Sequence, residues 1–341
     1  MMRSRKRRTG KRNVLHSIIR VLSTPSVRAL MKTVFVIAIL LLLLYPVFAY
    51  LIPARSYNIP KLSIENTTWE GCSNLRDQLL ARNYEVKQLI TSVYALQRIN
   101  YRGVLVILGP RSPYPLDEAN VIKEFIKDGG VLILADDFGS GNSLGDLFGV
   151  HFSENILVDF VHFERNQKFP VVSDFGDTSI TAGVSRLVLN EPSALISYPP
   201  GIILAQSSPD SWIDSIPDNK WESDSEIRGP LPIAILVQYG KGYIVAISDP
   251  SIFINDMLKL GDNLKFALNL FSWAVNAADE KVIVFDETHF AWEDVISFEG
   301  VTSRVLGPLL SQSVNSPVPV SYTHLRAHET RHDLVCRLLL E

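Results

Sequence analysis

The stretch GVLVILGPRSPYPLDEANVIKEFIKDGGVLILA, residues 103–135, decides the fold. It opens on a short, wholly apolar run, Val104 to Leu108, bounded by glycines, which predicts a buried strand. Leu116, Ala119, Ile122, Phe125 and Ile126 then recur at helical spacing, predicting an amphipathic helix over 115–128 with that stripe turned to a core. Gly129-Gly130 closes the helix, since glycine takes the left-handed cap without a Cβ penalty. Val131 to Ala135 is a second apolar run. A strand, a helix and a strand, with both strands apolar on every side, imply a parallel sheet covered on both faces.

The alternation extends outward from this unit. Residues 74–82 read as helix and 84–90 as strand, and 143–148 as a short helix. Residues 155–230 are irregular, and 207–226 reads as a surface excursion. Strands over 232–238 and 243–248 then flank Tyr239-Gly240-Lys241-Gly242, a hairpin signal. Residues 253–275 are helical with a break at Gly261, and 281–285 is a last buried strand. The expected domain is α/β, a mostly parallel sheet flanked by helices, over residues 55–290.

The N-terminus differs in kind. Ten of the 33 Lys and Arg lie in residues 1–52, which hold no Asp or Glu, leaving 23 basic against all 36 acidic residues in the rest. An acidic body is a poor nucleic-acid binder, because such binding replaces phosphate counterions with Lys and Arg. Residues 33–52, TVFVIAILLLLLYPVFAYLI, carry no charge. Twenty helical residues rise about 30 Å, the thickness of the hydrocarbon core. A transmembrane helix is therefore expected there, preceded by a basic cytoplasmic tail over 1–32 and followed by an extracytoplasmic domain. Cleavage after Val47-Phe48-Ala49 is the alternative. Both readings export the domain, and the bilayer and other membrane proteins are its expected partners. Asn66-Thr67-Thr68 is a legal glycosylation acceptor on the exported side. Residues 291–317 read as a membrane-proximal segment.

The last residues change character again. His324, His328 and His332 stand at helical spacing, but Ser321 to Glu341 resembles translated sequencing-adapter read-through, so 318–341 is set aside as an artefactual tail. It carries Cys336, one of only two cysteines; Cys72 then has no disulfide partner and is expected as a small buried hydrophobe.

Three stretches carry a family resemblance: Gly103 to Ala135; Gly240-Lys241-Gly242 through Ser248-Asp249-Pro250-Ser251 to Asp262-Asn263; and Phe285-Asp286-Glu287-Thr288-His289. Together they resemble the membrane-anchored domain of unknown function 4350 family, whose fold is similar to flavodoxin and the class I glutamine amidotransferases. The resemblance implies a second span after the Asp-Glu-x-His stretch, where the artefactual tail now stands. It implies no established activity.

Candidate chemistry is sparse. An amidotransferase needs a cysteine on a strand-to-helix turn, and Cys72 precedes the first helix instead. Gly141-Asn142-Ser143-Leu144-Gly145 matches G-x-S-x-G, with Asp249 and His289 following in hydrolase order, yet Ser143 lies eight residues beyond Ala135. A glycine-rich βα loop capped by Asn142 or Ser143 accounts for the same letters. Asp136 and Asp137 follow a parallel strand, where such folds bind ligands. Glu287, beside His289, belongs to the densest polar cluster, which either holds a site or orders the link to the membrane. No metal or cofactor is expected. The expectation is a membrane-tethered, non-enzymatic binding or scaffolding domain. A serine hydrolase using Ser143, Asp249 and His289, and a small-ligand sensor using Asp136, Asp137, Asn142 and Glu287, stand as alternatives.

Overall fold

A computed structural model describes residues 59–98, 102–137, 139–216, 220–222 and 225–290, with seven isolated positions between 29 and 40. The chain forms two compact units, Met1–Asn58 and Ile59–Glu341. In the first, the described positions are helical and Thr33 Oγ1 donates to Ala29 O at 3.0 Å, one turn earlier. Most of the expected span, the tail over 1–28 and residues 291–341 lie outside the described residues. No helix among the described residues is long and apolar enough to cross a membrane.

The second unit is a mixed α/β domain around one large sheet. Its eight strands are β1 (Glu85–Leu89), β2 (Val104–Leu108), β3 (Val131–Ala135), β4 (Asp174–Phe175), β5 (Ile202–Gln206), β6 (Pro232–Tyr239), β7 (Gly242–Ile247) and β8 (Val282–Asp286), in the order β1-β8-β2-β3-β7-β6-β5-β4. β1, β8, β2, β3 and β7 run parallel. β6, β5 and β4 continue the sheet antiparallel. The helices are α1 (Ser73–Leu80), α2 (Ala95–Arg98), α3 (Leu116–Lys127), α4 (Asn142–Gly145) and α5 (Asn263–Ala278).

The period-2 geometry of a strand divides β2 and β3 between two cores. Val104, Val106, Leu108, Val131, Ile133 and Ala135 join one, with Leu75 and Leu79 of α1 and Phe266, Leu270 and Phe271 of α5. Leu105, Ile107, Leu132 and Leu134 join the other, with Ala119, Ile122, Phe125 and Ile126 of α3. Every residue of both strands is buried, which is why they read as unbroken apolar runs. α3 carries Asp117 and Glu118 in its first turn and Lys127 in its last, matching the helix dipole. Its end needs glycine: a Cβ on Gly130 would stand 2.3 Å from Phe125 Cζ.

Several expectations require correction. Leu116 is 67% exposed, because it occupies the first helical position, before the stripe reaches the sheet; Val121 is buried instead. The helix expected over 253–275 begins as two 3₁₀ turns, Pro250–Phe253 and Met257–Lys259, and the α-helix starts only beyond Gly261. The region 207–226 is not wholly a surface excursion. Ser211–Ile213 is buried and pairs antiparallel with Leu157–Asp159. Three residues are too few to register as a period, and Ile202–Gln206 was not legible as β5 because its burial is only partial. The acceptor Asn66 is 6% exposed, and its amide donates to Ile59 O and Pro60 O while accepting from Thr68. A glycan cannot be added there without opening the domain's first turn. Cys72 is buried as expected, and burial pushes its thiol up.

Phe271 lies fully buried between Phe253 and Phe285, with ring centroids at 6.2 and 6.0 Å. Phe271→Ala is expected to cost about 3–5 kcal/mol through lost burial and the cavity left behind. Urea unfolding followed by circular dichroism measures it.

Candidate functional site

The five parallel strands end at one edge, the place where open α/β sheets usually bind ligands. Three of them run directly into aspartates. β3 is followed by Asp136 and Asp137, β7 by Ser248 and Asp249, and β8 ends on Asp286 with Glu287 next.

Asp136 is fully buried. Its N–H donates to Ile247 O, and its Oδ2 accepts the N–H of Gly141 at 2.8 Å, folding the loop back over the strand end. A Cβ at Gly141 would stand 2.9 Å from that same oxygen, so this glycine of the G-x-S-x-G match is there for close approach. Asn142, also buried, spends its amide on Phe152, donating to its carbonyl and accepting its N–H. Ser143 Oγ donates to Ser140 O at 2.9 Å and accepts the N–H of Tyr114 at 2.8 Å. The loop that matched a nucleophile elbow is closed on itself, and α4 behind it is a single turn.

Asp249 caps the 3₁₀ turn that follows it, accepting the Ser251 N–H at 2.8 Å, and its other oxygen takes the Asn190 N–H at 2.8 Å. Burial pushes its carboxyl up to about 7, against the opposing pull of those donors. Asp137 has one carboxylate oxygen buried without a hydrogen-bond partner. Burial, then the charges of Asp249 and Asp136, push its carboxyl up, and Arg111 works against them. Across the two strand ends Ser193 is stitched to Ser248, its N–H on the Ser248 carbonyl at 2.9 Å.

The second cluster surrounds His289. Asp286 accepts the Tyr114 hydroxyl at 2.8 Å and both the N–H and hydroxyl of Thr288. The His289 ring stacks on Tyr114 at 3.7 Å, with Nδ1 at 2.8 Å from the Thr288 hydroxyl and Nε2 at 3.1 Å from Glu118 Oε2. The His289 carbonyl accepts the Arg111 N–H. Glu287 faces the other way. It accepts the Ile64 N–H and the Gln88 amide, and burial pushes its carboxyl up.

The predicted residues are thus brought to one edge but not into one constellation. No hydrogen bond among the described residues joins Ser143 to His289 or His289 to Asp249. Tyr114 touches both, bonded to Ser143 through its backbone and stacked on His289. No group of three or more His, Cys, Asp or Glu among the described residues could hold a metal ion. Tyr114, Glu118, Asn190 and Ser193 went unread in the sequence. Tyr114 and Glu118 follow a buried strand after a proline-containing loop, a position that was a usable signal. Asn190 and Ser193 lie in irregular chain and offered none.

Asp249 sets a pH dependence with a definite sign. Its carboxyl is raised to about 7 in the folded domain, against about 4 for an unfolded aspartate. Between those values the folded state binds the extra proton. Stability due to this group is therefore full below about pH 4 and is lost as pH rises towards 7. The loss approaches about 1.4 kcal/mol per pH unit. Asp249→Asn is expected to flatten that slope in urea unfolding measured from pH 4 to pH 8.

Comparison with solved structures supports the fold alone. The N-terminal domain of mmIFT52 aligns with a TM-score of 0.51 at 17% identity, over 64% of this chain and 95% of that one. A cytoplasmic protein of Salmonella typhimurium LT2 aligns at 0.38 and 14% identity, over 61% and 86% of the two chains. A ThuA-like protein of Bacteroides uniformis aligns at 0.32 and 17%, over 51% and 69%. No curated protein matches the sequence. A family model matches residues 64–271, from the turn that Glu287 holds to the buried face of α5, and the chain belongs to that family, DUF4350, a domain of unknown function.

Proposed function

We propose that this chain is a membrane-tethered, non-catalytic binding or scaffolding domain of the flavodoxin-like or class I glutamine amidotransferase-like kind. It is held by one transmembrane helix over 33–52, with the N-terminus cytoplasmic and the domain outside. The five parallel strands with helices on both faces support the fold class. The uninterrupted apolar run behind a basic tail supports the anchor.

One observation carries the non-catalytic reading. The polar side chains at the strand ends that a hydrolase would use, Ser143, His289 and Asp249, are each bonded to other groups of the protein. The Ser143 hydroxyl is fixed between Tyr114 N–H and Ser140 O, with no hydrogen bond to a base among the described residues. A nucleophilic serine needs a base in hydrogen-bond reach, and that base needs a partner to orient it. Here His289 is engaged by Thr288 and Glu118, and Asp249 by backbone donors.

The test is chemical. A fluorophosphonate probe is expected to leave the full chain unlabelled at Ser143. Labelling that disappears in Ser143→Ala and in His289→Ala would favour the hydrolase and overturn this reading. Ser143→Ala should instead cost stability, about 1 kcal/mol for the lost bonds, read by urea unfolding.

A further inference from the structure

α1 and α5 pack on the same face of the sheet, where Leu75 and Leu79 of one join the core of Phe266 and Leu270 of the other. A groove lined by both helices lies at the surface. α1 contributes Asn74, Asp77 and Gln78, which share one helix face at i, i+3 and i+4. Arg82 continues that face one turn on, its Nη1 donating to Gln78 O at 2.8 Å. α5 contributes Leu264, Lys265, Leu268, Asn269 and Ser272, again along one face. The 3₁₀ turn Met257–Lys259 adds Leu258 and Lys259. The groove has two adjoining parts, of about 680 and 380 Å³, which share Leu258, Lys259 and Leu264.

Its floor is apolar and its rim is cationic. Leu258 is buried and Tyr84, Leu264 and Leu268 are half-buried, whereas Arg82, Lys259 and Lys265 are exposed. These charges are not equally committed. Lys259 pairs with Asp256 at 2.6 Å, and Asp77 pairs with Arg76 at 3.0 Å. Asp262, the acid of the larger part, gives its Oδ2 to the Ser185 N–H and hydroxyl at 2.8 and 2.7 Å. Lys265 Nζ donates to Gly183 O at 2.7 Å and stands 3.6 Å from Asp262 Oδ1. Arg82 has the Gln78 oxygens and no carboxylate partner among the described residues. The larger part therefore carries positive charge that its own acids do not neutralise, on a chain whose body is acidic.

We propose that this groove binds an extended acidic segment of a partner protein, with a carboxylate at Arg82 and Lys265 and apolar side chains on Leu258, Leu264 and Leu268. The proposal rests on the binding reading above and gives it a site and a ligand class; it takes nothing from the anchor. Shape selects a peptide over a compact anion. Along α1 the groove follows Asn74 to Arg82, a rise of about 12 Å, which about four extended residues span. It is open to solvent along this path, and the carboxamides of Asn74 and Gln78 suit a peptide backbone. Chemistry selects the side chains. A guanidinium and an ammonium on the rim complement a carboxylate, and half-buried leucines below them gain by covering an apolar neighbour.

The experiment selects a phage-displayed library of short random peptides on the full chain in detergent. Enriched sequences should join aspartate or glutamate to an apolar residue. The best of them, made with a fluorophore and read by anisotropy, should lose affinity at least about tenfold for the double variant Arg82→Glu/Lys265→Glu, and should weaken as salt is raised. Both side chains are exposed, and circular dichroism checks that the variant folds; Arg82→Gln/Lys265→Gln repeats the measurement if it does not. No enrichment, or enrichment of basic or uncharged sequences, overturns the proposal. Acidic peptides that bind the variant undiminished overturn the groove as the site and leave the binding reading standing, whereas fluorophosphonate labelling at Ser143 overturns that reading itself. Inorganic phosphate or citrate binding as tightly as the peptide, with the same loss in the variant, assigns the groove to small anions and overturns the peptide as its occupant. Self-association of the chain that the double variant abolishes assigns it to a second copy and overturns the proposal too.

Discussion

The architecture depends on carboxylates accepting backbone N–H groups where the parallel strands end. A parallel strand runs out of ladder partners at its C-terminus, and the chain must turn sharply into a loop. Asp136, Asp249 and Asp286 each sit at such a point, and each captures an N–H from the loop that follows: Gly141, Ser251 and Thr288. Asp249 also takes Asn190 from the long crossing segment, and Glu287 takes Ile64 from the chain's entry. Charge-assisted bonds of this kind are short and strong, which offsets part of the cost of removing a carboxylate from water.

The offset is incomplete at Asp249 and Asp137, whose carboxyls are pushed up by burial. Perturbed carboxyls at a strand edge often mark catalysis. Structural networks perturb them as well, and here the bonding partners decide between the two. The hydroxyl, imidazole and carboxylate that a hydrolase would align are distributed among three separate turns, each with local donors. On the scaffold reading, the burden carried by these acids is structural: they fix the loops that leave the strand ends.

What was legible in the sequence follows from the physics of each element. β2, α3 and β3 were readable because full burial writes an unbroken apolar run and a single buried face writes a 3.6-residue period. The β6–β7 hairpin was readable from its glycines. Asp136, Asp249, Glu287 and His289 could be singled out as polar groups just past buried strands. Their partners were hidden because pairing across the edge joins residues far apart in sequence, as Asn190 with Asp249 or Tyr114 with Asp286. β5 and the short antiparallel pair were missed for a different reason. Ile202–Gln206 is an outer strand of intermediate burial, and Ser211–Ile213 is three residues long. Neither writes a period that a window can detect.

The same edge also bears on the scaffold reading. In an open α/β sheet the strand-end crevice is the default site because the strands leave it unfilled. Here Gly141, Asn142, Ser143 and Tyr114 bond across the strand ends. Two of those bonds engage the carboxylates of Asp136 and Asp286, so a ligand at this edge would meet acids that the loops already hold.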